Sequence, residues 1–296
     1  MLSRKRARKK QAVPATATRP EGAAAPEAPY APEPAAATTP TPTSTPPSAP
    51  RAAPTPRPAN RTWRQAGPLS LVRASHPKQA VVTAAAVAAG GALAGRSTRE
   101  LGLVFATVLV GQAIVGWHND LVDRRRDAAN EAPGKPIAQG FLEPGTVWFA
   151  IACAVLLVVP LSIANGVTAG ITYLIALAVS LLGNVMLRKG RLSWLPWAVS
   201  YGLYPAFLSY GGWGGAALGD PPEIWITVLA ALLGVCVHFL RALPGLVADN
   251  RDGLRHLPLR VALRTGAPRL LWISIALTVL VVAGLLATGN SVGLAQ

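Results

Sequence analysis

The sequence predicts an all-α protein: a multi-span transmembrane helical bundle behind a long disordered N-terminal tail. Three observations carry this. The 296 residues are 51% hydrophobic and 14% charged, against about 25% charged in an ordinary soluble domain. The charges are segregated, so that Thr146 to Leu187 contains no Asp, Glu, Lys or Arg. Apolar runs then recur at close to the ~20 residues that a helix needs to cross hydrocarbon.

Residues 1–66 read as a cytosolic tail. It begins with the basic run Arg4-Lys5-Arg6-Ala7-Arg8-Lys9-Lys10 and continues as Pro/Ala/Thr sequence, for example Pro40-Thr41-Pro42-Thr43-Ser44-Thr45-Pro46-Pro47. That composition has too little apolar surface to offset chain entropy, and frequent proline blocks helix continuation, which predicts disorder with a polyproline lean. No apolar core follows the positive charges, so it is not read as a signal peptide. Tethering is the expected role, with contact to anionic headgroups as the alternative.

Residues 67–296 form the membrane domain. Seven candidate spans, roughly 79–95, 101–118, 146–165, 167–187, 192–212, 224–242 and 268–288, are counted in it. Backbone polar groups cannot stay unpaired in lipid, so each is expected to be a helix. The first is Ala-rich, short and interrupted by Gly90-Gly91. With the N-terminus in the cytosol, Arg124, Arg125, Arg126, Lys135, Arg188, Lys189, Arg191, Arg251, Arg255, Arg260, Arg264 and Arg269 all fall on the cytosolic side. The opposite loops hold Arg96 and Arg99. The positive-inside rule therefore fixes the expected orientation, and a bacterial cytoplasmic membrane is the expected location. Trp148, Trp194, Trp197, Trp213 and Trp225 fall near span ends, as interface anchors do. The net charge of +15 comes from the tail and these loops, which points to anionic lipid and away from nucleic acid. Cys153 and Cys236 lie in apolar runs without metal-ligand spacing and read as small hydrophobes.

The second span runs into Asn119-Asp120-Leu121-Val122-Asp123-Arg124-Arg125-Arg126-Asp127. If the helix continues past Trp117, Asn119, Asp123 and Asp127 recur at i, i+4 and i+8 and are expected on one face, with Asp120 about 100° round the axis. Carboxylates packed so closely repel one another unless a cation joins them. Oxygen-only ligands suit a hard ion, and Mg²⁺ commonly bridges a few carboxylates to substrate phosphates. The plainer alternative is pairing with Arg124 to Arg126 on a solvated face.

A second acidic segment, Leu243 to Arg255, follows the sixth span and contains Asp249, Asn250, Asp252 and Gly253. Two acidic segments on one membrane face can clamp a diphosphate, and Lys135, Arg188 and Lys189 on that face can neutralise it as it departs. Arg241, on the helix leading in, adds a further charge. His118 next to the first motif and His238 near the end of span six are weaker candidates, read first as packed histidines. Tyr201 and Tyr204 can steady a carbocation through their ring faces, with span packing as the default.

These pieces resemble the UbiA superfamily of intramembrane prenyltransferases, from about Arg73 to the end of the chain. The matching segments are Arg73-Ala74-Ser75-His76-Pro77, the Asn119–Asp127 motif, Lys135-Pro136-Ile137 with Gly140, Leu187-Arg188-Lys189 with Ser193-Trp194-Leu195-Pro196, and Asp249 with Gly253-Leu254-Arg255-His256-Leu257-Pro258. The resemblance implies a UbiA-like bundle whose central cavity opens toward lipid. It also implies Mg²⁺-dependent transfer of a prenyl group from a prenyl diphosphate to an aromatic or otherwise lipophilic acceptor. Asp120, Asp123, Asp127 and Asp249 would be the metal-holding catalytic residues, and Asn119, Lys135, Arg188 and Lys189 would bind the diphosphate. No protein partner is identifiable. The chain departs from the family at Gly245, where an acid is usual, in reading Arg188-Lys189 for Lys-Arg, and in having fewer than the usual nine spans. A terpene cyclase of the same fold and a non-catalytic isoprenoid-binding membrane protein are the alternatives that these departures leave.

Overall fold

In the computed structural model, residues 67–212 and 219–291 are described. The predicted tail and Trp213 lie outside them. Every regular element among the described residues is helical: α1 Gly67–Ala74, α2 Pro77–Leu93, α3 Thr98–Ala129, α4 Pro144–Ala164, α5 Val167–Val185, α6 Leu195–Gly202, α7 Tyr204–Ser209, α8 Ile224–Ala242, α9 Leu246–Arg251, α10 Leu257–Thr265 and α11 Ala267–Ser291. A single 3₁₀ turn, Leu243–Gly245, joins α8 to α9.

Among the described residues, five helical stretches are long and apolar enough to cross a membrane: α3, α4, α5, the continuous run Ile224–Arg251, and Ala267–Gly289 within α11. The seven expected spans are thus not all present as full-length helices. The first expected span is α2, only 17 residues long. The fifth breaks into α6 and α7 because Pro205 has no N–H to donate and its ring collides with the carbonyl one turn back.

Consecutive helices pack as neighbours, with α3 held between α2 and α4, and α8 between α6 and α11. The interior is filled by Val104, Val108, Ile114, Val147, Val158, Tyr173 and Phe207. Tyr173 reaches α3 and donates from its hydroxyl to the carbonyl of Thr107 at 3.3 Å. The outer faces carry apolar side chains such as Phe149, Leu156, Trp272 and Leu280 in the open, Leu156 at 77% exposure. That is the inverse of a water-soluble surface and the normal one for helices in lipid.

The two ends of the bundle differ. At one end the link between α2 and α3 is fastened by Arg96, whose guanidinium donates to the carbonyls of Leu208 and Gly211 and pairs with Glu100 at 3.4 Å. Glu100 also accepts from the N–H and hydroxyl of Ser97, which starts α3 cleanly. At the other end α3 continues unbroken through the acidic motif and meets the α5–α6 link and the α8–α10 segment.

Gly116 sets the geometry at this second end. A Cβ there would stand 2.5 Å from the carbonyl oxygen of Ser75, so only glycine lets the α1–α2 corner close onto α3. One turn further along α3 is Asp120, and His76, next to Ser75, adopts a left-handed backbone with φ of 54° and reaches it. Gly116→Ala should therefore cost about 1–3 kcal/mol by overpacking, seen as a lower Tm in a detergent or nanodisc melt. Gly102→Ala, with open space around it, should leave Tm unchanged or raised.

Candidate functional site

The acids of α3 sort by helical phase rather than as one row. Positions seven apart lie within about 20° of each other, while positions eight apart diverge by about 80°. Asp120 and Asp127 accordingly share a face and are bridged by one lysine. Lys135 Nζ lies 2.5 Å from Asp120 Oδ1 and 3.6 Å from Asp127 Oδ2. His76 Nε2 sits 2.8 Å from the same Asp120 oxygen. Asn119 and Arg126 share the neighbouring face and both line the central cavity. The expected single face of Asn119, Asp123 and Asp127 is corrected in this way, since two i+4 steps accumulate the drift that one i+7 step cancels.

Asp123 pairs with Arg188 from the α5–α6 link. Burial pushes the Arg188 guanidinium down from its ordinary value, and the nearby carboxylates of Asp249 and Asp252 push it back up. Arg126 crosses to the second segment, giving Nη2 to Asp249 Oδ1 and Nε to Asp252 Oδ2, the latter at 2.5 Å. Asn130 adds a hydrogen bond to Asp252 Oδ2 at 3.0 Å. Hydrogen bonds from Arg126 and Asn130 hold the Asp252 carboxyl below the usual carboxylate range. The other oxygen of Asp249 lies 2.8 Å from His256 Nε2. Because His256 Nδ1 accepts the backbone N–H of Leu259 at the start of α10, its proton is on Nε2, and it donates to Asp249.

Asn119, Arg126, Arg188, Arg241, Asp249 and His256 line a cavity of about 260 Å³, together with Gln112, Trp197, Tyr201 and Tyr204. Arg241 stacks over the Trp197 ring at 5.1 Å, and among the described residues it forms no ion pair. The structure thus brings Asn119, Arg188 and Asp249 into the cavity. It places Asp120, Asp127 and Lys135 on the adjoining face of α3, with Asp123 joined to the cavity through Arg188. Lys189 is exposed and outside the lining. His118 is turned toward Asn184, 3.4 Å away, and lies edge-on to Trp148. His238 lines the cavity, stacked on Trp197 and 3.1 Å from Ser193 Oγ. The roles of His76, Arg126 and His256 were missed by reading the sequence alone. The i+7 match of Arg126 to Asn119 was the available signal.

Among the described residues, no three of His, Cys, Asp or Glu converge as a finished metal site. The donor set nevertheless fits a hard cation. Asp120 is 2% exposed, and its Oδ2 has no hydrogen-bond partner. Asp123 Oδ1 and Asp127 Oδ2 are likewise buried without a formed hydrogen bond, meeting Arg188 and Lys135 as ion pairs. One buried carboxylate oxygen without a partner, with two more met only by cationic side chains within two turns of the same helix, is a donor set that a divalent ion of oxygen preference can use.

Residues 80–295 match the UbiA prenyltransferase family. The chain is 29% identical over 196 residues to a digeranylgeranylglyceryl phosphate synthase of Methanopyrus kandleri, covering 62% of this chain and 67% of that one. Its fold is similar to that of a UbiA homolog from Archaeoglobus fulgidus bound to GPP and Mg²⁺, with TM-score 0.57, 18% identity, and coverage of 73% and 76% of the two chains. The same homolog bound to DMAPP and Mg²⁺ matches with TM-score 0.57 and 17% identity over 74% and 78%.

Lys135→Met should leave Asp120 short of a partner and lower the stability of the metal-free protein by about 3 kcal/mol, the low end for breaking a buried pair. Mg²⁺ should restore part of the lost Tm in the variant and add less to the wild type, because the ion takes the position that the ammonium leaves.

Proposed function

The chain belongs to the UbiA prenyltransferase family and is a membrane-embedded prenyltransferase; from that premise we propose that, with Mg²⁺, it transfers the prenyl group of a prenyl diphosphate to a lipophilic acceptor held in the bundle. The observation that carries this reading is the cavity lining, which joins guanidinium and carboxylate groups to the aromatic rings of Trp197, Tyr201 and Tyr204. The solved homologs named for GPP and DMAPP with Mg²⁺ support the donor class.

The diphosphate would sit against the charged part of the lining, where Asn119 and Arg188 donate to its oxygens and Lys135 lies one face away. Negative charge grows on the leaving diphosphate as the allylic C–O bond breaks, and fixed donors aimed there lower that barrier. Mg²⁺ supplies Lewis-acid stabilisation of the same charge when bound, with Asp120, Asp123 and Asp127 as the residues that would hold it. The prenyl chain would run along the aromatic part of the cavity. There Trp197, Tyr201 and Tyr204 exclude water and present ring faces to the allylic cation. Asp249, expected from the sequence as a fourth metal ligand, has each of its oxygens engaged by Arg126 or His256. The basic loops support an orientation with the motif-bearing end and the N-terminus on the cytosolic side.

Purified protein incubated with prenyl diphosphates of several lengths, Mg²⁺ and a panel of aromatic and glyceryl-ether acceptors should release pyrophosphate and form a prenylated product. Chelation should abolish turnover, and Asp123→Asn should lower kcat about a hundredfold or more. No product with any donor and acceptor would sink the reading, and a cyclic product formed without acceptor would replace it with cyclisation. Orientation is checked with single cysteines. In intact cells an impermeant maleimide should label Asp220→Cys and spare Arg125→Cys.

A further inference from the structure

The two acidic segments treat their carboxylates differently. On α3, Asp120 Oδ2 is buried without a partner, and Asp123 Oδ1 and Asp127 Oδ2 are met only by the ion pairs to Arg188 and Lys135, whereas no buried carboxylate oxygen of the second segment lacks a hydrogen bond. Asp249 is engaged on one oxygen by Arg126 and on the other by His256. Asp252 receives Arg126 and Asn130 on Oδ2. Position 245 supplies no acid, and a Cβ there would already stand 3.2 Å from Asp249 Oδ2. The place where an additional carboxylate would have joined Asp249 is therefore a glycine. The acids that remain are spanned by a guanidinium reaching over from α3.

Resting on the prenyl-transfer reading, we propose that the second acidic segment takes no divalent cation: Arg126 stands between Asp249 and Asp252 as a built-in positive charge, and Arg241 binds the diphosphate on that side. Several facts fit together under this assignment. Arg126 gives separate nitrogens to the two carboxylates, Nη2 to Asp249 and Nε to Asp252, as the planar fork of a guanidinium allows. It carries a single positive charge, so the two acids it spans stay net negative and hold it in place. Arg241 faces the same cavity with no ion pair among the described residues, backed by the Trp197 ring. It is thus a cation whose counter-charge has to come from a ligand. Arg188 is already committed to Asp123 and would be released toward the diphosphate when an ion takes over that carboxylate. The site then uses one divalent ion on the α3 side and fixed guanidinium groups opposite.

The test counts ions on the full-length protein in lipid nanodiscs with an unreactive geranyl thiolodiphosphate, using Mn²⁺ in place of Mg²⁺ with EPR and calorimetric titration. One tightly bound Mn²⁺ per chain is expected, unchanged in Asp249→Asn. Two tightly bound ions in the wild type, or loss of the ion in Asp249→Asn, would overturn the proposal while leaving prenyl transfer standing. Absence of both Mn²⁺ and thiolodiphosphate binding would overturn both. Arg241→Gln should weaken thiolodiphosphate binding about tenfold to a hundredfold without changing the ion count, and Arg241→Lys should recover part of it. Unchanged affinity in Arg241→Gln would remove Arg241 from the assignment.

Discussion

Carboxylates at the end of an apolar bundle must each be matched by positive charge, and the rest of this end of the molecule is arranged around that demand. Asp120, Asp123 and Asp249 are all buried, and an unpaired charge in such surroundings costs several kcal/mol. Their partners arrive from segments far apart in sequence: His76 from the α1–α2 corner, Lys135 from the α3–α4 link, Arg188 from the α5–α6 link, and His256 from the start of α10. The first three pairings pin connecting segments to α3, and the fourth ties the start of α10 to α9; Arg188 and His256 thereby become part of the cavity wall.

The same charges serve two purposes. Without a metal, lysine and arginine hold the acids and make the bundle end stable. Under the proposed reading, a bound metal would take over the acids and free those cations for the phosphate oxygens. The exchange would need little backbone rearrangement, since the long side chains of Lys135 and Arg188 can turn while the links that carry them stay in place. Close backbone contact at Gly116 contributes by setting the α1–α2 corner at a fixed distance from α3.

Much of this was legible in the sequence, for physical reasons. Segregated charge and apolar runs of spanning length gave the helical membrane bundle, and the spacing of Asn119 to Asp127 marked the acidic end of α3. What escaped was of two kinds. Phase error accumulates along a helix, so Asp127 was grouped with Asn119 and Asp123 when its true neighbour is Asp120. Contacts between distant segments leave no local trace either. Nothing in the sequence near Arg126 announces that it reaches Asp249 and Asp252, and nothing near His256 shows that its ring is fixed by the N–H of Leu259. The count of seven spans was not confirmed among the described residues, because hydropathy is blind to the backbone break that Pro205 imposes between α6 and α7 and because α2 is only 17 residues long.

The fastening at the opposite end bears on the order in which the chain can assemble. Arg96 takes its carbonyl partners from residues 112 and 115 positions later, so during synthesis it precedes them by four helices. Glu100, one turn along α3, is present from the start and gives the guanidinium an interim partner. The α2–α3 corner can therefore form early with Arg96 already paired, while the carbonyls that complete the fastening come only with α7 and the residues just after it. Closure of this end has to wait for α7, because of where Arg96 stands in the chain.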